Sequence, residues 1–212
     1  TVATLGTVTL TASNENWCST ATGTAGAGAL LVTDNGTGGT GDGWNAYKVY
    51  DNTTTTIMAG GGTGNLVSDD QTAASLCAVT FLGDTYYLAT ADVITGGDNI
   101  SVWKSTDLTT WTQIGNDYSE PGSDTVDNLA IATTGSSAAD ANVWITYDNS
   151  SFASLIHYED IAGGSNPVWR NVHDAVLTGD PGSLSIATDG TSIIAVTGVI
   201  ATITKVGFWY NQ

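Results

Sequence analysis

The feature that most constrains the fold is a short motif that occurs four times along the 212-residue chain. In each copy an apolar residue and a small residue are followed by a β-prone run and then by glycine. The copies lie at 17–23, 76–83, 129–135 and 184–190. In repeat proteins each unit is one supersecondary element that buries a face against the next unit. The sequence therefore predicts four similar units.

Each motif is followed by further runs rich in β-branched and aromatic residues, which are typical of strands. The first three repeats contain a fourth run, at 55–59, 110–114 and 168–172 respectively. The last repeat reaches the end of the chain before a fourth run, and the run at 2–8 could replace it. A β-propeller closes its ring in this way and so removes an open sheet edge.

We therefore expect one all-β domain over residues 1–212, a small β-propeller of four blades with about four strands each. The repeats are approximately 17–75, 76–128, 129–183 and 184–212 plus 1–16. A β-sandwich or jelly roll is the alternative, because it also consists of short strands joined by polar turns.

The two cysteines, Cys18 and Cys77, fall at the same position of the motif, where the other copies carry Ala130 and Ser185. Small residues are expected on the innermost strand, where strands crowd the axis. The two thiols are therefore either buried small side chains or a disulfide between neighbouring inner strands.

Residues 105–111, Ser-Thr-Asp-Leu-Thr-Thr-Trp, form the one segment with a family resemblance. This segment resembles the Asp-box hairpin of sialidase-like propellers and the similar hairpin of five-bladed glycoside hydrolases. The resemblance implies that Ser105 and Asp107 bind turn amides and that Trp111 packs under its blade. It supports the propeller fold and implies no activity, because this hairpin is structural.

Catalytic residues are scarce, and we expect no enzyme. A sialidase needs several arginines, and this chain has only Arg170. A glycosidase needs two carboxyl groups flanking the scissile bond. The β-prone runs of the four motif copies, which we expect to form the innermost strands, contain no Asp or Glu. His157 and His173 lack metal-ligand spacing, and we expect both to be ordinary surface or edge residues.

The formal net charge of −17 disfavours nucleic acid as a partner, because an acidic surface repels phosphate. No apolar run approaches the length needed for membrane insertion. No cofactor is indicated, except that segment 34–43 could wrap a Ca²⁺ ion with Asp34, Asp42 and backbone carbonyls. A flexible hairpin loop is the alternative for that segment.

These features favour a non-enzymatic extracellular module, on a cell surface or on a virion surface as a decoration protein. Such a module would act through protein or glycan contacts, and it could form a homo-oligomer. The 7 Trp and 8 Tyr residues could stack on sugars or on proteins. The alternatives are a lectin-like carbohydrate-binding propeller and a degenerate glycoside hydrolase-like propeller.

Overall fold

The computed structural model describes residues 17–21, 29–34, 44–49, 57–60, 76–92, 99–106, 110–119, 126–149, 151–161, 170–178, 181–200 and 203–210. No helix in those stretches is long and apolar enough to cross a membrane. The strands are β1 (Trp17–Ala21), β2 (Ala29–Asp34), β3 (Trp44–Val49), β4 (Ile57–Gly60), β5 (Leu76–Leu82), β6 (Thr85–Asp92), β7 (Asn99–Ser105), β8 (Thr112–Gln113), β9 (Tyr118–Ser119), β10 (Asn128–Thr134), β11 (Asp140–Asp148), β12 (Phe152–Ile161), β13 (Arg170–Thr178), β14 (Pro181–Thr188), β15 (Ile193–Ile200) and β16 (Ile203–Tyr210).

The strands form four antiparallel sheets, each built from consecutive strands. Sheet 1 has the order β1-β2-β3-β4, and sheet 2 has the order β5-β6-β7-β8 with β9 also paired to β7. Sheet 3 has the order β10-β11-β12-β13, and sheet 4 has the order β14-β15-β16. The all-β prediction is confirmed, and each copy of the repeated motif begins within the first strand of a sheet.

The four sheets are packed in series through their first strands. Strand β1 contacts β5, β5 contacts β10, and β10 contacts β14. This arrangement is that of successive blades in a propeller, and it differs from the two facing sheets of a sandwich. Among the described strands no comparable packing joins β14 back to β1, so the four-bladed ring and its closure stay predictions. The run at 2–8 lies outside the described residues.

The largest core lies between sheets 2 and 3. Tyr87 and Ile100 of sheet 2 are fully buried there, together with Ile156 and Tyr158 of sheet 3. Successive residues of a strand point to opposite faces, and Tyr86, next to Tyr87, belongs to a separate cluster with Leu88, Cys77 and Cys18. Strand β6 is therefore covered on both faces, which explains why apolar residues occupy both of its alternating sets of positions.

Sheets 3 and 4 are joined by a third apolar cluster and by two hydrogen bonds near their first turns. The cluster contains Trp144 and Leu155 of sheet 3 and Ile194 and Val196 of sheet 4. The Gly135 amide donates to the Gly190 carbonyl at 2.9 Å. The Thr188 hydroxyl donates to the Thr133 carbonyl at 3.1 Å. These two bonds join the ends of the first strands of the two sheets.

Candidate functional site

A cavity of about 430 Å³ opens where the outer strands of sheet 2 meet the β10–β11 turn of sheet 3. We call it the hydroxyl cavity, because five of its seven described lining residues carry a hydroxyl group. The described lining residues are Thr85, Lys104, Ser105, Thr106, Thr110, Thr112 and Ala138. Its volume is within the usual range for sites that hold small ligands.

Strand pairing fixes most of this lining. Ser105 lies opposite Tyr86 across β6 and β7, and Lys104 lies opposite Thr112 across β7 and β8. Thr85 and Ser105 are buried, with 1% and 3% of their surface exposed, whereas Thr106, Thr110 and Thr112 are exposed. The cavity therefore has a rigid, buried floor and an open rim of hydroxyl groups.

Sheet 3 supplies the remaining wall through Ala138. The β10–β11 turn lies close to the β5–β6 turn, since a Cβ atom added to Gly83 would be 3.6 Å from the Cα atom of Ser137. Asp140 fixes the conformation of the β10–β11 turn by accepting hydrogen bonds from the amides and hydroxyls of Ser136 and Ser137. The wall is thus held in place by contacts on both sides.

The lining offers both hydrogen-bond donors and hydrogen-bond acceptors to a ligand. A hydroxyl group can both donate and accept, whereas an ammonium group only donates. The Thr85 hydroxyl donates its proton to the Asp84 carboxylate at 3.0 Å. The Thr85 oxygen can therefore act as an acceptor for a ligand donor. The cavity can therefore bind donors and acceptors on one polar ligand.

The Asp-box-like segment borders this cavity. Ser105 is buried at the end of β7, and Trp111 is partly buried against the cluster that contains Tyr86 and Leu88. The Nε1 atom of Trp111 is buried and has no hydrogen-bond partner within the described part of the chain. Asp107 lies outside the described residues, so its turn-binding role stays a prediction.

Two exposed carboxylates are bound within turns. Asp140 accepts the bonds from Ser136 and Ser137, and Asp189 accepts amide bonds from Thr191, Ser192 and Ile193 at 2.8–2.9 Å. Hydrogen bonds to the charged form hold the pKa of both carboxyls well below the ordinary value of 3.8. Such carboxylates stabilise turns and are poor proton donors at neutral pH.

Asp148 is a buried carboxyl at the end of β11, with 0% of its surface exposed. Its side chain accepts hydrogen bonds from the Asn128 backbone amide and side-chain amide. Burial raises the pKa of Asp148, and the bonds from Asn128 oppose that shift. The described contacts of this carboxyl therefore anchor the start of β10.

His157 corrects the expectation of a surface or edge residue. Its ring is 94% buried and stacks on Trp144, with ring centroids 4.0 Å apart and planes tilted by 14°. Its Nε2 atom is 2.9 Å from Oδ1 of Asn142. The cause is the register of β11 and β12, which pairs Trp144 with His157 on the face that packs against sheet 4. His173 lies on β13, and its side chain is outside the described part.

The cysteines form a disulfide between sheets 1 and 2. Cys18 on β1 is bonded to Cys77 on β5, with the Cα atoms 5.7 Å apart, so the pair joins two neighbouring first strands.

Asp34 is the last residue of β2, and Asp42 lies outside the described residues. The described residues contain no group of three or more His, Cys, Asp or Glu side chains placed to hold a metal. Calcium binding at 34–43 therefore stays a prediction.

Sequence reasoning did not identify the hydroxyl cavity. The local signal was the run of hydroxyl residues around 105–112, which we interpreted only as a turn. Ala138 is far from that run in sequence and reaches it only because sheets 2 and 3 pack together. A site that depends on the docking of two repeats has no signature within either repeat.

The fold and the cavity define an all-β protein of serially packed antiparallel sheets with a polar site between two of them. No protein-family model matches the sequence, and no curated protein matches it. Among solved structures, the chain is similar to the endo-arabinase of Bacteroides thetaiotaomicron VPI-5482, with a TM-score of 0.46 and 12% identity over 88% of this chain and 72% of that one. It is also similar to the fungal lectin of Aleuria aurantia, described as a six-bladed β-propeller with a novel fucose recognition mode. For that lectin the TM-score is 0.38 and the identity 10%, over 92% of this chain and 74% of that one.

Proposed function

We propose that this chain is a non-enzymatic module that binds a carbohydrate in the hydroxyl cavity. The observation that carries the proposal is the chemistry of the described lining, in which five of the seven residues carry a hydroxyl group. Sugar hydroxyl groups both donate and accept, as the threonine and serine hydroxyls of the cavity do. The methyl group of Ala138 suits the apolar C–H face of a sugar ring.

The carboxyl groups with described contacts support binding without turnover. Hydrolysis of a glycoside needs one carboxyl as acid and a second as base or nucleophile across the scissile bond. Asp140 and Asp189 are engaged by their turns, and Asp148 is engaged by Asn128. None of these three lines the cavity. The Asp84 carboxylate lies beside it and accepts a hydrogen bond from the lining residue Thr85, so it is a single carboxyl where hydrolysis needs two. A sugar in the cavity would therefore be held and released unchanged.

A glycan array followed by titration calorimetry tests this proposal. Thr110→Val and Thr112→Val replace rim hydroxyls by methyl groups of similar size, and Thr197→Val makes the same change on β15, away from the cavity. We expect each rim variant to weaken sugar binding about fivefold or more, as for loss of one hydrogen bond, and the control to bind normally. Absence of binding to any glycan, or release of product from chromogenic glycosides, would overturn the proposal.

Protein contact is a second candidate, which the outer face of sheet 4 favours. Ile193 and Val199 lie on the same face of β15, and they are 43% and 38% exposed. Contiguous exposed apolar patches are typical of interaction surfaces. Sedimentation of the wild type and of Ile193→Thr with Val199→Thr tests this candidate. Self-association that is lost in the double variant would support it, and a monomer throughout would argue against it.

We further propose that the module works outside the cell, on a cell or virion surface. The Cys18–Cys77 disulfide is consistent with this location, because disulfides persist in oxidising compartments.

We also propose that residues 2–8 supply a fourth strand beside β16 and close a four-bladed ring. Deletion of residues 1–8 should then leave an open edge and cause aggregation. A truncated chain that stays monomeric and equally stable would contradict closure.

A further inference from the structure

We infer that the hydroxyl cavity recognises a free hydroxyl group of the bound sugar through Thr85, and that Asp84 is the positioning residue that makes Thr85 an acceptor. This inference rests on the proposed function, since it specifies which carbohydrates the cavity binds. The ligand class is a saccharide whose hydroxyl group at the cavity floor is unsubstituted. A sugar that is methylated, fluorinated or glycosidically linked at that position has no proton to donate there.

Thr85 is a buried polar residue that lines the cavity. Only 1% of its surface is exposed, whereas the rim residues Thr106, Thr110 and Thr112 are exposed. Buried hydroxyl groups are usually hydrogen-bonded, because an unmet hydrogen bond in a poorly hydrated place costs free energy. Within the described part of the chain, the partner of the Thr85 hydroxyl is Asp84. The acceptor capacity of Thr85 is thus left for a ligand in the cavity.

The hydrogen bond to Asp84 fixes the direction of the Thr85 hydroxyl. The Thr85 hydroxyl oxygen lies 3.0 Å from Oδ1 of Asp84. A carboxylate only accepts hydrogen bonds, so the proton of this bond belongs to Thr85. Hydrogen bonds to a charged acceptor are stronger than those between neutral groups, so a ligand acceptor competes poorly for this proton. Thr85 is therefore an acceptor toward the cavity, while a threonine without such a partner can donate or accept.

The hairpin between β5 and β6 holds both residues in place. Gly83 and Asp84 are the two residues between these strands, and Leu82 pairs with Thr85 across the turn. Gly83 has a φ of +64°, as is typical of tight two-residue hairpin loops. Thr85 is β-branched, and such a side chain has few rotamers open to it. The acceptor is thus preorganised, which lowers the entropic cost of binding.

The test of Thr85 is calorimetry with the tightest-binding array saccharide and with analogues in which each hydroxyl group in turn is replaced by fluorine. Fluorine carries no proton, so it cannot donate to Thr85. We expect one position at which fluorine weakens binding to the wild type at least about fivefold, the effect of one lost hydrogen bond. Thr85→Val should remove that difference, and Thr85→Ser should keep it because the hydroxyl remains. Thr112→Val changes a rim hydroxyl and should also keep it.

The test of Asp84 is the affinity ratio between the same hydroxyl and fluorine compounds. Asp84→Gly removes the carboxylate and suits a tight turn. Thr85 can then donate as well as accept, so the ratio should fall about twofold or more while the variant still binds the parent saccharide. Asp127→Asn removes the same charge from an exposed carboxyl that does not line the cavity, and it should leave the ratio unchanged. Circular dichroism checks that each variant is folded.

Each outcome decides between this inference and the proposed function. If no fluorine effect depends on Thr85, or if Thr85→Val weakens both compounds equally, the inference is overturned while carbohydrate binding stands. An unchanged ratio in Asp84→Gly would overturn the positioning role of Asp84. An equal fall of the ratio in Asp127→Asn would attribute the effect to overall charge and would overturn that role as well. Absence of binding to any saccharide would overturn both proposals.

Discussion

The carboxylate of Asp148 accepts hydrogen bonds from the backbone amide and the side-chain amide of Asn128, at 2.7 and 2.9 Å. This pair ties the end of the second strand of sheet 3 to the start of its first strand. The second strands of sheets 1 and 2 also end in aspartate, at Asp34 and Asp92. The sequence thus repeats an aspartate at one position of three sheets, and the side-chain contacts of Asp148 are described for one of them.

Removal of the Asp148 carboxylate should destabilise sheet 3. Asp148→Ala should lower the free energy of unfolding by about 1–3 kcal/mol, because the Asn128 donors then lose their acceptor in a poorly hydrated place. Asp127→Asn alters the adjacent, exposed carboxylate and should change stability by no more than about 0.5 kcal/mol. Urea unfolding measures both variants. Equal effects of the two substitutions would show that the Asp148–Asn128 pair has no special role.

The pH dependence of stability should also reveal Asp148. Burial raises its pKa above the ordinary value of 3.8, so the folded chain binds more protons at this site than the unfolded chain does. Its contribution is therefore complete below the unfolded pKa and is lost as pH rises through the folded pKa. Relative to Asp148→Asn, the wild type should lose stability as pH increases above about 4. A relative gain of stability over that window would contradict the assignment.

Asp189 should behave in the opposite sense. Its pKa is lowered by the amides of the β14–β15 turn, so its stabilising effect is present above 3.8 and is lost as pH falls below that value. Asp189→Asn should therefore lower the melting temperature at pH 7, and its stability should depend less on pH between about 4 and 2. Thermal melts at successive pH values check this. Parallel pH profiles for wild type and variant would show that the turn amides do not bind the carboxylate.

The Cys18–Cys77 disulfide should provide a large share of the stability of sheets 1 and 2. The bonded residues are 59 positions apart, and the chain-entropy model gives about 4 kcal/mol for a loop of that length. Addition of a reductant should lower the denaturation midpoint of the wild type to near that of the Cys18→Ala, Cys77→Ala double variant. The double variant should not respond to reductant. A wild type that is equally insensitive would mean that the two thiols are not bonded.

Two glycines distinguish backbone strain from steric overlap. Gly115 and Gly190 have φ values of +72° and +84°, a region that residues with a side chain rarely adopt. A Cβ atom at Gly115 would lie 2.6 Å from Cε2 of the buried Tyr158 ring, whereas a Cβ atom at Gly190 meets nothing within 4 Å. Gly190→Ala should cost about 1–2 kcal/mol from strain alone, and Gly115→Ala about 2–5 kcal/mol. Equal losses would contradict the close approach of Tyr158.

The strands were predictable where one short segment contained the whole signal. The repeated motif placed the first strands correctly, because its β-branched run and following glycine act locally. The fourth strands were less predictable: the run expected at 110–114 is a strand only at Thr112–Gln113, and the run expected at 168–172 becomes Arg170–Thr178. The length of a fourth strand depends on its pairing with the neighbouring strand. The sequence of the fourth segment alone does not encode that pairing.

The burial of His157 and the existence of the hydroxyl cavity could not be predicted for a related reason. His157 is buried because its face of sheet 3 packs against sheet 4, and Ala138 lines the cavity because its turn docks on sheet 2. Both facts depend on contacts between repeats that are distant in sequence. The turn carboxylates Asp140 and Asp189 were not predicted either, although their hydrogen bonds stay within a few residues.

A crystal structure of the chain with its tightest-binding array saccharide tests the central claim most directly. We predict an intact sugar between β7, β8 and the β10–β11 turn, with its hydroxyl groups on the surrounding threonines and its ring against Ala138. A sugar bound elsewhere, for example beside Asp148, or a cleaved saccharide in the crystal, would contradict the account of the hydroxyl cavity as a non-enzymatic carbohydrate site.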